Sequence, residues 1–485
     1  MWTGSTSVRS TSSTILAAEV GVIRVGLCLA LTSAACARYQ PRPLDPTTHT
    51  AEMFRRDLGD SALVAAVARH AGRPVAYSWT DHQLAVAGLT LRSDLRRLRA
   101  EWHAAEAAVR TAGERAGIGV QGDVERRVGG REVEDPWVVG ISGVVHLELG
   151  GKRGARLQAA RAGVTVAESR LIASSRAVAV ETRLAAAALV HALADAADAS
   201  EEVRALEKVH GLERTRFAEA ALDASELART STEIQNARLA QAEAEHAVLT
   251  ARAALAATMA LPAPAVDSLV PVLGPPSGCG SLDSIGPATF TAGAVQRRTE
   301  VATALAEYAV AESRLRLEVA RQFPDLELGP GFVWDEGVHR WTLALALPAL
   351  LGSRNRGAIT EADAARGVAG LHVAEVQDSI LADAGMAIQD CRGASLELVA
   401  ADSVVAAAER LDRREREAYA RGETSRLEPA RAELQLLRAR RARRAAERRL
   451  ARASLELERA AGGPPSADGQ WPDPRQDPST EASPR

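Results

Sequence analysis

The sequence repeats itself once, at a spacing of roughly 200 residues, and that repeat limits the possible folds more than any motif does. Arg92-Ser93-Asp94-Leu95 and Ala100-Glu101-Trp102 recur as Arg298-Thr299-Glu300-Val301 and Ala306-Glu307-Tyr308. Ala105-Glu106 matches Ala311-Glu312, Trp137 matches Trp341, and Arg153-Gly154-Ala155 matches Arg356-Gly357-Ala358. Further along, Asp223-Ala224-Ser225-Glu226 falls opposite Ser425-Arg426-Leu427-Glu428. A solenoid repeat is about 20–45 residues long. A unit this much longer reads as one ancestral half, duplicated.

Each half predicts the same order: a helix, two short strands, a very long helix, a turn, and a last helix. The strands are read from alternation. Leu326, Leu328, Pro330, Phe332 and Trp334 are apolar, and the residues between them are polar or small. Trp341, Leu343, Leu345 and Leu347 repeat the pattern after a predicted loop over 335–340. In the first half Ile118, Val120 and Val124 alternate, followed by Trp137, Val139, Ile141, Val145 and Leu147. The helices are read from texture. From Gly154 to Phe217, and again from Gly357 to Tyr419, proline is absent and Ala, Leu, Arg and Glu dominate. Each run would extend on the order of 90 Å. The flanking helices, near Arg92–Ala112 and Ser225–Ala260, together span a similar length, so two short helices stacked end to end can line one long one.

Segments of about ten residues with one apolar and one polar or small face suit a barrel with lipid outside and water inside. A soluble sandwich with one buried face explains the alternation equally well. Number weighs against it, because four strands appear and no second sheet is present to cover the apolar face. A barrel needs about eight strands or more, so several copies would have to share one. The residues alone do not choose between two copies and three.

Composition agrees with long, thinly packed helices. The chain is 46% hydrophobic but only 3% aromatic, which favours Ala-lined helix contacts over a bulky core. A net charge of −3 gives no reason to expect a nucleic-acid partner. The dense basic run of Arg438, Arg440, Arg441, Arg443, Arg444, Arg448 and Arg449 lacks interleaved aromatics; it reads as a solvated helix face with local partners such as Glu447. The histidines form no HxxxH, HExxH or Cys/His cluster, so no metal site is expected. No nucleophile elbow, P-loop or dinucleotide fingerprint occurs in its required context. Neither catalysis nor a cofactor is expected. Cys279 and Cys391 are far apart in sequence; a disulfide between them is permitted but nothing requires it.

Near the N-terminus, Arg24 precedes the short apolar run 25–31 and then Thr32-Ser33-Ala34-Ala35-Cys36. This resembles a secretory leader, too short to span a bilayer. Its end is similar to a bacterial lipobox with Cys36 as the acylated residue, although Ser33 stands where Leu is preferred. Ordinary signal cleavage after Ala35-Cys36-Ala37, an A-x-A site, is the competing reading. No other segment reaches the roughly 20 apolar residues of a membrane helix, so any crossing would be by β-barrel.

Two helix starts follow tight turns. Ser425-x-x-Glu428 forms a capping box, with Asp223-x-x-Glu226 as its counterpart. These put Ala221-Leu222 and Gly422-Glu423-Thr424 at exposed hairpin tips. Trp137, Trp334 and Trp341 fall at the loop ends of strands, where a barrel carries an interfacial aromatic girdle, and Lys152, Arg153, Arg354 and Arg356 fall at the opposite rim. Three core tryptophans are the plainer alternative.

Phe323-Pro324-Asp325-Leu326, Gly329-Pro330-Gly331, Trp334-Asp335, Trp341, Leu347-Pro348 and Arg354-Asn355-Arg356-Gly357 together resemble the TolC-like outer-membrane efflux protein family, in particular its heavy-metal-efflux branch. Arg421-Gly422-x-x-Ser425-x-Leu427-Glu428 is similar to the family's periplasmic tip, and Gly150-Gly151-Lys152-Arg153-Gly154 to the first-half segment. The first-half tip departs at Ala220 and Ser225. The resemblance implies a mainly α fold with a small β part: a duplicated helical barrel plus four strands per protomer, entering a trimeric transmembrane β-barrel. It implies an outer-membrane channel with its helices in the periplasm, working with an adaptor and an inner-membrane pump. Heavy-metal cations would be the cargo. Gly422, Glu423, Thr424, Ser425, Leu222 and Asp223 would contact the adaptor, with Cys36 lipidated.

The expected organisation is a leader at 1–36, an N-terminal extended segment with helices at 37–91, repeats at 92–260 and 292–463, a linker at 261–291, and a tail at 464–485. The rival class is a periplasmic coiled-coil adaptor or scaffold. Adaptors carry one helical hairpin flanked by β-rich domains, whereas here the strands sit inside each repeat.

Overall fold

The computed structural model describes residues 39–71, 74–75, 78–126, 128, 137–274, 278–335, 338–347, 354–463 and 475. Cys36, the rest of the leader, and all of 464–485 except Arg475 lie outside the described residues. The chain divides into two compact units, 1–52 and 53–485. In the first, an extended stretch from Tyr39 leads into α1 (Pro46–Phe54). Asp45 starts that helix by accepting hydrogen bonds from the Thr47 amide at 3.0 Å and the Thr48 hydroxyl at 2.6 Å. Those bonds, the Thr48 hydroxyl first, hold the exposed carboxyl down at about 2.

The larger unit is mainly helical with one four-stranded sheet. Its elements are α2 (Ser61–Ala71), α3 (Asp81–Leu91), α4 (Ser93–Gly113), β1 (Ile118–Arg126), β2 (Trp137–Leu147), α5 (Lys152–Ala218) and α6 (Ala224–Thr258). After the linker come α7 (Leu282–Ile285), α8 (Pro287–Arg297), α9 (Thr299–Ala320), β3 (Leu326–Asp335), β4 (Val338–Ala346), α10 (Arg356–Ala420) and α11 (Leu427–Ala460). From α3 and from α8 onward the same order of elements is traversed twice. The long helices hold 67 and 65 residues, so each runs ~100 Å.

Backbone geometry keeps the duplication where side chains have drifted. Arg92 and Arg298 break α3/α4 and α8/α9 at the same extended geometry, φ −67°, ψ 125° and φ −69°, ψ 125°. Each long helix begins after two left-handed residues, Gly150-Gly151 in the first half and Arg354-Asn355 in the second. Both hairpin tips turn on a left-handed residue, Ala220 or Gly422, and both last helices end on one, Ala260 or Gly462. Gly150 is irreplaceable for a second reason, since a Cβ there would lie 2.9 Å from the Ala320 carbonyl.

Three apolar clusters hold the helices together. The largest joins α2 and α3 to α5, α6 and the linker through Val67, Leu84, Leu189, Leu255, Met259 and Val266. A second joins α8, α10 and α11 through Phe290, Ile380, Ile388, Cys391 and Leu457. The third lies near the tips, where Leu206, Val209 and Ile234 meet Leu427 and Leu434. A disulfide links Cys279 to Cys391, with Cα atoms 5.5 Å apart, and ties the linker to α10.

Four sequence expectations need correction. The predicted loop 335–340 is shorter, because Asp335 already pairs with Val338 and an Arg340–Asp335 ion pair supports the ladder. Neither capping box forms. The last helix takes Arg426 as N-cap, and Asp223 caps α6 without a side-chain bond; Ser425 instead accepts from the Leu427 amide at 3.4 Å, so its oxygen is spent one residue early. One helix, α5, does contain a stretch long and apolar enough to cross a membrane by length and composition, owing to its Ala and Val content. Within that stretch 44% is buried inside the protein. Lastly, the arginine run keeps an exposed side and its local partner Glu447, 2.9 Å from Arg443, but it also pairs across helices, as set out below.

Candidate functional site

The sheet is the first candidate surface. Its order is β1-β2-β3-β4, antiparallel throughout. The central pairing joins the two repeats, with Ile141 opposite Phe332 and Val145 opposite Leu328. The register puts one residue set on one face: Ile118, Val120 and Val124; Val139, Ile141 and Val145; Leu328, Pro330 and Phe332; Trp341, Leu343 and Leu345. Alternation sends Gln121, Asp123, Ser142, His146, Glu327, Gly331 and Thr342 to the other face. Gly331 is crowded there, since a Cβ would lie 2.7 Å from the Thr342 hydroxyl.

Among the described residues nothing covers the apolar face. Val120 is 74% exposed, Trp341 84% and Leu343 73%. The outer edges of β1 and β4 pair with no other described strand, so their backbone donors and acceptors stand open. A sheet with an exposed greasy face and two open edges is a surface for pairing with another strand and for contact with an apolar phase. Trp137, Trp334 and Trp341 all fall on that face toward its loop end, with Phe332 edge-on to Trp341 at 5.3 Å and the Arg126 guanidinium 5.4 Å over Trp137. At the opposite end, Lys152 holds Asp325 at 2.7 Å and Arg156 grips Glu148, fixing the strand-to-helix joint.

The hairpin tips are the second surface. Leu222 and Asp223 end the α5/α6 hairpin, and Gly422, Glu423, Thr424 and Ser425 end the α10/α11 hairpin. The fold joins these two ends. Arg431 reaches Glu213 at 2.8 Å and bonds Glu226 as well, while Arg216 donates to the Ser425 hydroxyl at 3.4 Å. Burial works against the Arg431 charge, but Glu213 and Glu226 outweigh it and hold its pKa above the ordinary value. Arg421 and Glu423 form an exposed pair at the very end, which lowers the Glu423 carboxyl.

The third surface is the helix wall. On α11, Arg438 and Arg441 reach Glu202 on α5 at 2.9 and 2.7 Å, and Arg444 bonds Asp198. Arg448 stands 2.7 Å from Asp195, an ion pair lacking hydrogen-bond alignment. On the other flank Arg440, Arg443 and Arg449 pair with Glu409, Asp402 and Glu397 of α10. The run is therefore a two-sided ionic seam. Its partners on α5 lie more than 200 residues away in sequence, at a separation no local pattern reveals.

Comparison with known proteins turns on shape. No family model matches the chain, and no curated protein matches it. Solved structures do. It is similar to the outer membrane protein VceC of Vibrio cholerae, with a TM-score of 0.63 at 18% identity over 79% of this chain and 96% of that one. It is similar to the CmeC outer membrane channel of Campylobacter jejuni, with a TM-score of 0.61 at 15% identity over 92% and 93%. The open state of the Neisseria gonorrhoeae MtrE outer membrane channel gives 0.60 at 17% identity over 88% and 98%. The fold is that of the outer-membrane channels.

Within this channel fold, the expected aromatic and tip residues form two groups at opposite ends of the long helices. Sequence reading missed the charged joints between them. Arg183 on α5 bonds Asp81 at 3.0 Å and also Glu458 on α11, and Asp81 accepts from the Gly274 amide at 3.2 Å. Burial raises the Glu458 carboxyl against the pull of Arg183. Single charges on Ala-rich helices give no periodic signal of such a hub. Among the described residues no group of His, Cys, Asp and Glu could hold a metal ion.

Proposed function

We propose that this chain is the outer-membrane exit duct of a tripartite efflux system, conducting solutes passively and catalysing no reaction. One observation carries the reading: a four-stranded sheet with an uncovered apolar face and two open edges. Three copies would close their sheets edge to edge, putting the apolar faces in lipid and the Gln121, Asp123, Ser142, Glu327 and Thr342 face around water. Closure satisfies every open backbone group, which a bilayer demands.

In that arrangement Trp137, Trp334 and Trp341 lie at the outer interface, and Lys152, Arg153, Arg354 and Arg356 at the periplasmic rim. The helices extend into the periplasm, with Gly422, Glu423, Thr424, Ser425, Leu222 and Asp223 offered to an adaptor fed by an inner-membrane pump. Cys36 would be acylated after export. Heavy-metal cations are the cargo suggested by the sequence resemblance, with selectivity set by the pump.

Two measurements test this. Fractionation should recover the chain with the outer membrane as a detergent-stable trimer, whereas an adaptor would leave with the inner membrane. The purified trimer should conduct ions across a planar bilayer. A monomeric, detergent-independent protein without conductance ends the reading. A deletion strain grown across metals and drugs would identify the cargo.

A further inference from the structure

The two repeats meet their flanking helices at the same joint, and only one of the two joints is electrostatically complete. In the first repeat, Arg92 fills its fork. Its Nε and Nη2 donate to the two oxygens of Asp94 at 3.0 and 2.7 Å, and Nη1 reaches Glu181 and the Thr258 carbonyl at 3.4 Å. In the second repeat Arg298 occupies the matching place. Glu300 replaces Asp94 and takes only Nη2, at 2.9 Å; Asp383, the counterpart of Glu181, stands 3.5 Å from Nη1. The Nε of Arg298 is buried with no hydrogen-bond partner, on a side chain only 9% exposed.

Two further guanidiniums surround this joint. Arg459 stands where the first repeat has Ala257; it bonds Glu456 at 2.7 Å and, among the described residues, otherwise reaches only the shared Asp383, at 4.0 Å. Arg176 on α5 donates to the Arg297 carbonyl at 3.3 Å and has no carboxylate partner among the described residues. These arginines line a cavity of about 110 Å³, with Thr299 and Glu300 of the first turn of α9 and with Gly462 and Gly463 completing the wall. That turn lacks a side-chain cap. The volume equals about four waters' share of liquid.

We propose that this cavity binds a small tetrahedral oxyanion, inorganic phosphate or sulfate. Three guanidiniums around one small cavity share too few acceptor oxygens, and an oxyanion supplies several in the planar geometry that arginine matches. The partial positive charge of the α9 N-terminus adds to the attraction. The Glu300 carboxylate on the wall opposes it, so binding is modest and depends on all three arginines. Bound there, the anion cross-links α5 of the first repeat to α9 and α11 of the second.

The duplication supplies the test. Full-length protein purified in detergent and chloride buffer is titrated with phosphate or sulfate, at ionic strength matched with sodium chloride, and followed by thermal unfolding and calorimetry. The unfolding midpoint should rise saturably with either oxyanion. Arg459→Ala copies the first repeat's Ala257 and should weaken affinity about tenfold. Glu300→Asp copies Asp94, closes the Arg298 fork internally, and should abolish the response while leaving the unliganded midpoint equal or higher. An equal rise with chloride alone, or undiminished saturation in both variants, overturns the site. An acetate response equal to that of phosphate overturns the tetrahedral assignment.

Discussion

The long helices α5 and α10 are near-equal products of one duplication, yet they face different surroundings. The first is buried along most of its length, from Leu171 through Leu189 to Leu206 and Val209, under α3, α4, α6, α9 and α11. The second is buried only between Ile380 and Ala394. Outside that stretch Val368, Leu371, Leu396 and Val399 are about 70% exposed, with Leu371 at 74%. A soluble monomer rarely leaves such a row uncovered. Under the proposed trimeric assembly the divergence has a reason: one helix is the centre of a protomer and the other a face that a neighbouring copy would cover.

The largest expected effect breaks this comparison directly. Leu189 is fully buried in the main cluster, so Leu189→Ala should cost about 2–5 kcal/mol. Leu371→Ala should cost under about 0.5 kcal/mol within a protomer but weaken association of copies. Thermal unfolding and crosslinking read the two separately. Equal destabilisation by both, with no change in oligomer, would show that α10 is covered from within the chain.

A second contrast is the disulfide, which only the second repeat carries. Position 391 matches Leu189 of the first repeat, so a cystine replaces a core leucine. The bridge spans 112 residues of sequence, and losing it should cost about 2–4 kcal/mol. Comparing Cys391→Ala with the parent protein under oxidising and reducing conditions checks this. If reductant leaves the parent midpoint unchanged, the staple adds nothing.

Much of this architecture was present in the sequence, for reasons that differ by element. The strands were clear because one face carries Leu328, Phe332, Leu343 and Leu345 without interruption, and period-two patterns need no tertiary information. The helices were clear from absent proline and the repeat register. The seam's contacts to α5, the Arg183 hub and the open Arg298 fork were invisible, since the first two join residues from different repeats, the fork reaches Asp383 across 85 residues, and charge alone has no period. The capping boxes failed because a local motif competes with tip packing. Leu427 is only 1% exposed, and seating it makes Arg426 rather than Ser425 the first capping residue.

The tips sharpen the comparison at smaller scale. Ala220 adopts φ 57° where Gly422 adopts φ 74°, and a Cβ in that region costs about 1 kcal/mol. Gly422→Ala should therefore destabilise by about 1 kcal/mol, while Ala220→Gly should be neutral or stabilising. Guanidinium melts of the single variants measure both. Opposite signs confirm that the two turns share one backbone; equal signs mean that they do not.

The smallest effect concerns pH at the joint between repeats. Glu458 has its pKa raised above 4.5 by burial, with Arg183 opposing and Asp81 adding to the rise. A carboxyl raised on folding binds its proton more tightly in the folded state. Its contribution is then most favourable below the unfolded value and fades as pH climbs through the folded one. Glu458→Gln should remove this dependence, giving a flatter curve of unfolding midpoint against pH from about 4.5 upward. The first repeat has no equivalent, because Ala256 fills the matching place on α6 and is itself buried. A Glu458→Gln curve that still falls with the parent slope would mean that the buried charge is fully compensated by Arg183, and that the hub is as neutral to pH as its alanine counterpart.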